Sequence, residues 1–198
     1  MNAWLADSLQ WYPEKGCGFF PVRDTPYNAA YFEKYEGYAD TEQGRAITDA
    51  RVAFASTYCV MLTVDVGIGC GQFVNTFDCL GYDVNPAGVQ WLRDRNLWHD
   101  PYAEPIEHAT FWDSFEHIEN PAPLLANIRH SLVMTIPIFD GPEHVLRSKH
   151  YRKDEHYWYF TDAGLKKYMA DHGFRCVAQN SMEQALGREG VETYAFTR

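Results

Sequence analysis

Three glycines and two carboxylates carry most of the chemistry visible in this chain. They lie in Leu62-Thr-Val-Asp-Val-Gly-Ile-Gly-Cys-Gly-Gln72 and in Leu80-Gly-Tyr-Asp-Val-Asn85. Asp65 precedes Gly67, Gly69 and Gly71, and Asp83 stands 18 residues beyond Asp65. An apolar run that ends in an acid, then glycines, then a helix predicts a buried strand opening onto a ligand. Glycines let the backbone turn tightly and approach that ligand closely. The free N–H groups of the following helix favour an anionic or hydroxyl-rich one. A carboxylate about 20 residues past such a loop can accept both ribose hydroxyls. The ligand is therefore expected to contain a nucleoside. A dinucleotide is excluded, because Gln72 stands where G-x-G-x-x-G needs its third glycine and Asp65 would repel a pyrophosphate. No G-x-x-x-x-G-K-[ST] phosphate loop is present. A carboxylate two positions before the first glycine suits an ammonium group instead.

With these residues the chain resembles the class I S-adenosylmethionine-dependent methyltransferases. The resemblance implies that Asp65 helps hold the methionine end of S-adenosylmethionine, that Gly67, Gly69 and Gly71 pass beneath it, and that Asp83 takes the ribose. A second segment, Phe111-Trp-Asp-Ser-Phe-Glu-His-Ile118, is similar to the one after strand four in many small-molecule methyltransferases. There Trp112 and Asp113 would border the methionine and methyl end. Glu155-His-Tyr-Trp-Tyr-Phe-Thr161, followed by Leu165 and Gly173-Phe174, looks like the family's C-terminal half.

Transfer to oxygen requires that a proton be removed. An imidazole can act as general base near neutral pH, so His117, with Glu116 beside it, is the candidate. Asp113, Glu116 and His117 also stand at i, i+3 and i+4, which on one helical turn gathers them on a face able to hold Mg²⁺. Such a site would need a further ligand from His144, His150 or His156. A hydrogen-bonded helix start beside the cofactor is the preferred reading of the same residues, so Mg²⁺ ranks behind S-adenosylmethionine as a cofactor.

The elements that must position these groups read as a βα alternation. Residues 1–40 read as aromatic and irregular, broken by Pro13, Pro21 and Pro26, with Tyr27, Tyr31, Tyr35 and Tyr38 at helical spacing. Thr41 caps a helix to residue 55. Strand one is expected at 60–66, a helix at 71–77, strand two at 79–84, and a helix from Pro86 to about residue 95. Strand four ends at 110–112, Asn120 caps a helix running from Pro121 to about residue 130, and strand five follows at 131–139. Thr161 caps the last long helix, Gly173 ends it, and strands at 174–181 and 191–197 form an antiparallel pair. Strand three must fit within 96–107, leaving little room for a helix, and the turn before strand five lacks the family's usual Pro-Gly-Gly. The expected fold is α/β, Rossmann-like, mostly parallel with helices on both faces and a C-terminal antiparallel hairpin, trimmed around strand three. One domain is expected over 1–198: an aromatic lid and helix (1–55), a cofactor core (56–140) and an acceptor side (141–198).

Composition narrows the function further. A net charge of −10 argues against nucleic acid, whose phosphates are bound by Lys and Arg. The one basic cluster, at 147–153, suits a solvated loop or a contact with an anionic acceptor. Five cysteines with no C-x-x-C pair fit a reducing, cytoplasmic setting. The start Met-Asn-Ala-Trp-Leu shows no signal-peptide pattern, and no apolar run is long enough to span a membrane. The expected activity is methyl transfer to oxygen on a small or anionic molecule, with aromatic content that leaves room for a homo-oligomer. The alternatives are a metal-assisted O-methyltransferase using Asp113, Glu116 and His117, and a module that binds S-adenosylmethionine without turnover.

Overall fold

The computed structural model describes residues 3–5 (as backbone), 9–21, 27–60 and 62–198. Pro26 of the expected N-terminal breaks and Met61 of the expected strand one lie outside them. The chain begins with β1 (Ala3–Leu5), β2 (Leu9–Tyr12) and β3 (Cys17–Phe19), where the sequence reads as irregular. Alternation in Leu9-Gln-Trp-Tyr buries Leu9 and Trp11 on one face, a period-two signal too short to stand out among so many aromatics. Two helices follow. The Asn28 side chain caps α1 (Ala29–Ala39) by accepting from the Tyr31 N–H, and Thr41 caps α2 (Glu42–Ala55) by accepting from Gly44.

The next stretch alternates as expected: β4 (Thr63–Val66), α3 (Gln72–Phe77), β5 (Leu80–Tyr82), α4 (Pro86–Asp94) and β6 (Ile106–Trp112). Pro86 sits at the start of α4 behind an Asn85 cap. A 3-10 turn (Phe115–His117) leads to α5 (Ala122–Asn127), β7 (Ile128–Pro137) and α6 (Pro142–Arg147). β8 (Trp158–Phe160), α7 (Asp162–Asp171), β9 (Arg175–Asn180), α8 (Met182–Ala185) and β10 (Val191–Thr197) complete the chain.

The main sheet has the order β5-β4-β6-β7-β10-β9, with its first four strands parallel and β10 antiparallel to both neighbours. β7 shows why its faces must both be covered. Leu132, Met134 and Ile136 join one apolar cluster with Leu124 of α5 and Leu165 of α7, while Val133 joins another with Ala55, Phe73 and Leu92 of α2, α3 and α4. Side chains alternate across a strand, so helices lie on both faces. The fully buried rings of Phe111, Phe160, Phe174 and Phe196 each contribute about 1.5–3 kcal/mol.

A second sheet, β1-β2-β3-β8, packs Leu9, Trp11 and Tyr159 against Phe139 and Val145. It joins the main body where the Phe139 N–H donates to the Phe160 carbonyl at 2.9 Å. That join ties β8, and through it β3, to the segment that follows β7.

Several expected boundaries move. Strand one starts at Thr63, because Val60 and Leu62 are 73% and 67% exposed. Strand two ends at Tyr82. The helix expected up to residue 130 stops at Asn127, and Ile128 to His130 already belong to β7, drawn into pairing with β6. Pro121 rather than Asn120 occupies the cap position, and the Asn120 side chain lies 3.4 Å from the Ala122 N–H. Strand three shrinks to one bridge, in which the Gly81 N–H donates to Leu97 at 2.9 Å and His99 donates to the Gly81 carbonyl at 3.0 Å. The expected trimming is therefore complete. No helix among the described residues is long and apolar enough to cross a membrane.

Candidate active site

The glycine loop joins β4 to α3. Gly67 and Gly71 both take φ +81°. A Cβ on Gly71 would lie 2.5 Å from the Trp91 ring, so the loop packs flat against α4. At Gly69 a Cβ would meet nothing within 4 Å, so that face of the loop looks onto open space.

Asp65 ends inside the sheet. It is 1% exposed, its Oδ1 accepts from Thr110 Oγ1 at 2.7 Å, and its Oδ2 has no partner. Burial pushes its pKa up to about 7, against the Thr110 hydrogen bond and the charge of Arg51. Asp83 follows β5 and accepts from the Asn85 N–H at 2.7 Å. Burial also raises Asp83, while the N–H groups of Asn85, Ile68 and Val84 pull it back. Ile68 belongs to the glycine loop, so the two expected cofactor segments touch.

Trp112 and Asp113 occupy the end of β6. Trp112 packs on Phe73 at 4.9 Å between centroids and lies beneath the Arg51 guanidinium at 5.1 Å. Its Nε1 is buried without a partner. Asp113 takes φ +54°, and its Oδ2 accepts from Arg51 at 2.9 Å and Arg188 at 2.6 Å. Both arginines also bind Glu183, whose side chain is fully buried. Burial would raise the Asp113 carboxyl, but Arg188 and Arg51 outweigh it and hold it at about 2.

That network separates Asp113 from the histidines it was expected to join. Glu116 and His117 lie on the 3-10 turn, and it is His156 that meets them. The Glu116, His117 and His156 ligand atoms lie within 4.8 Å of one another, and the two imidazoles are 4.6 Å apart at 75°. Of the other two expected partners, His144 accepts from the Asp140 N–H and His150 Nε2 bonds the Glu189 carbonyl at 2.9 Å. Glu116 is 1% exposed with both carboxyl oxygens unpartnered. Burial and the nearby Asp113 charge push it well above the usual carboxylate range. Burial lowers His117 to about 4 and His156 to about 2.

Above this cluster stands Tyr27, whose hydroxyl is 2.9 Å from His117 Nδ1. Tyr31 meets Tyr27 edge-on at 5.3 Å, and its hydroxyl lies 3.3 Å from that of Tyr35. Of the expected tyrosine face, Tyr38 alone points away, 41% exposed. The Asn28 carbonyl accepts from Asn85 Nδ2 at 3.0 Å, so this N-terminal segment bridges the Asp83 turn and His117.

A family model described as a methyltransferase domain matches residues 60–179, more than half of the chain. The chain belongs to the class I S-adenosylmethionine-dependent methyltransferases. Solved structures agree on the fold. One is magnesium protoporphyrin IX methyltransferase (ChlM) from Synechocystis PCC 6803 with bound SAH, at 11% identity and TM-score 0.61, covering 87% of this chain and 96% of the other. A second is the putative methyltransferase in complex with the Haloferax volcanii Trm112 methyltransferase activator, at 14% identity and TM-score 0.62, covering 89% and 99%. The [4+2]-cyclase SpnF gives 10% identity and TM-score 0.61 over 91% and 98%. Comparison with curated protein sequences gives no match.

Sequence reasoning about this methyltransferase missed Arg51, Glu183 and Arg188, which no local pattern marks. Arg51 and Glu183 are 132 positions apart. Thr110, which holds Asp65, was legible only as a strand residue. The Gly71–Trp91 contact gives a direct test of the loop. Gly71→Ala should lower unfolding stability by about 1–3 kcal/mol in urea, through overpacking and a left-handed backbone.

Proposed function

We propose that this methyltransferase holds S-adenosylmethionine over the Gly67–Gly71 loop and moves its methyl group to an oxygen of a small acceptor. The observation that carries the reading is the buried, unpartnered Oδ2 of Asp65 on β4, two residues before Gly67. An ammonium group is the natural partner for such an oxygen, and the open face at Gly69 leaves room for the rest of the ligand. Asp83 would accept from the ribose hydroxyls, and Trp112 and Asp113 would border the methionine and methyl end. These residues fit the cofactor, which when bound supplies a methyl group on a sulfonium that is already a good leaving group.

What remains for the protein is orientation, exclusion of water and removal of a proton. Orientation and desolvation can contribute roughly 7–11 kcal/mol. The Tyr27 and Tyr31 rings offer faces that attract positive charge, each by about 0.5–2 kcal/mol. His117 is neutral at pH 7 because burial lowers it to about 4, and in the tautomer whose Nδ1–H donates to Tyr27 its Nε2 lone pair would take an acceptor proton. Glu116 is the second catalytic group, with both oxygens free for a hydrogen bond from the acceptor. We take 1–55 as the cover, 56–140 as the cofactor half and 141–198 as the acceptor side of one unit. The cysteine pattern supports a cytoplasmic setting, and the −10 charge supports a small molecule over nucleic acid.

Calorimetric titration with S-adenosylhomocysteine tests the cofactor assignment. Micromolar binding is expected in the parent, and Asp83→Ala should weaken it by about 10- to 100-fold, the worth of charge-assisted hydrogen bonds, with an unchanged circular dichroism spectrum. Unchanged affinity in the variant would sink the ribose assignment. Turnover is read as S-adenosylhomocysteine released with a panel of hydroxylated acceptors. Tight binding with no turnover across the panel would favour a non-catalytic binding module.

A further inference from the structure

We propose that Glu116, His117 and His156 bind one divalent transition-metal ion, an inference that rests on the reading of this cluster as the acceptor side. Each residue offers one ligand atom, and the three atoms lie within 4.8 Å of one another. Bonds of about 2.0–2.2 Å to nitrogen and oxygen need ligand atoms somewhat closer than that. The proposal therefore requires the three side chains to draw together when the ion binds.

Three polar atoms of the cluster lack a hydrogen-bond partner, whereas His117 Nδ1 meets the Tyr27 hydroxyl. Both Glu116 oxygens and His156 Nδ1 are buried with no hydrogen bond, and His156 Nε2 is 3.9 Å from Glu116 Oε1, beyond bonding distance. A buried carboxyl group with no partner is costly, and native proteins keep few of them. A cation at this point satisfies a carboxylate and two imidazoles together. Tyr27, bonded to His117 Nδ1, fixes the orientation of one ring, as the outer-shell partners of metal ligands do. Asp113 takes no part, because Arg51 and Arg188 already hold it.

The donor set selects the ion. Two imidazoles and one carboxylate suit zinc, iron(II) or cobalt(II), whereas magnesium demands oxygen donors and retained waters. Three protein ligands also leave a coordination position open, as catalytic sites do. The acceptor is accordingly a molecule with a hydroxyl that can approach the cluster from the Tyr27 side. With the ion bound, its charge would favour the deprotonated hydroxyl in place of proton removal by His117, whose lone pair the ion takes.

The test uses the full chain, stripped with a chelator. It is titrated with Co²⁺ by visible absorption, and with Zn²⁺ and Mg²⁺ by equilibrium dialysis and metal analysis. Expected is one equivalent of Co²⁺ or Zn²⁺ bound at micromolar concentration or below, with Mg²⁺ bound far more weakly. Glu116→Gln and His156→Gln should each weaken Zn²⁺ binding by more than about 100-fold, exceeding the loss typical of outer-shell changes, while His144→Gln leaves it unchanged. Should the variants fail to fold, histidine side-chain NMR of the parent decides, with Zn²⁺ expected to shift His117 and His156. No stoichiometric uptake, uptake indifferent to the variants, a preference for Mg²⁺, or unshifted imidazoles would overturn the proposal and leave a protonated Glu116 in its place. S-adenosylhomocysteine titrated into the same samples separates the two readings. Its binding without any ion site defeats this proposal alone, and an ion site without its binding defeats the proposed function.

Discussion

Asp65→Asn is expected to stabilise the free protein at pH 8 while removing most of its affinity for S-adenosylhomocysteine. Folding carries the Asp65 carboxyl into the sheet with one oxygen unpartnered, and burial raises its pKa from 3.8 to about 7. The folded protein therefore keeps its proton over a pH range in which the unfolded chain has released it. Stability from this group is full below about pH 4 and is lost as pH rises to about 7. At 1.36 kcal/mol per unit the deficit above that is about 4 kcal/mol. Asparagine carries no charge and can still accept from Thr110, so the variant should gain stability at pH 8 and none at pH 4. Denaturant unfolding at the two pH values reads this directly. In the parent, a ligand ammonium beside Oδ2 offsets the deficit, so affinity should climb as pH rises toward 7. A pH-independent affinity, or a variant that binds as well as the parent, would remove Asp65 from the cofactor site.

Glu183→Ala should cost about 3–5 kcal/mol, the usual penalty for removing one partner from a buried ion network. Glu183 is fully buried and binds Arg51 at 2.6 Å and also Arg188, so its loss leaves two guanidiniums sharing only Asp113. The network joins α2, the end of β6, α8 and the turn before β10. Truncating Arg51 together with Glu183 to apolar residues should therefore cost less than the single change. A loss below about 1 kcal/mol in guanidinium unfolding would equate the network with an exposed ion pair. Acid should weaken it as well. Asp113 is depressed to about 2, so its contribution is present above about pH 4 and fades as pH falls toward 2.

What could be read from the sequence was local. The glycine loop, Asp65 and Asp83 announce themselves because a strand, a tight turn and a helix start follow one another within a short stretch. The caps at Thr41 and Thr161 are equally local, since each side chain bonds an N–H three residues on. The rest depends on contacts between distant segments. The i, i+3, i+4 spacing of Asp113, Glu116 and His117 assumed a helix, but Asp113 adopts a positive φ and only a 3-10 turn follows. His156 reaches Glu116 because the Tyr157 N–H donates to the Glu116 carbonyl at 2.9 Å, which no spacing encodes. β1 to β3 were hidden because their aromatic residues fit an irregular cover as well as a small sheet.

The shortened third strand also governs how this molecule can meet others. β5 has three residues, and the N–H and carbonyl of its central Gly81 are both taken by the Leu97–His99 segment. At the opposite end of the sheet β9 is six residues long, with exposed side chains at Arg175, Val177 and Gln179. Edge strands of that length are templates for pairing with another chain. The two flanks of the main sheet therefore differ: a bridge to the Leu97–His99 segment covers the middle of β5, whereas β9 stands as a full-length edge.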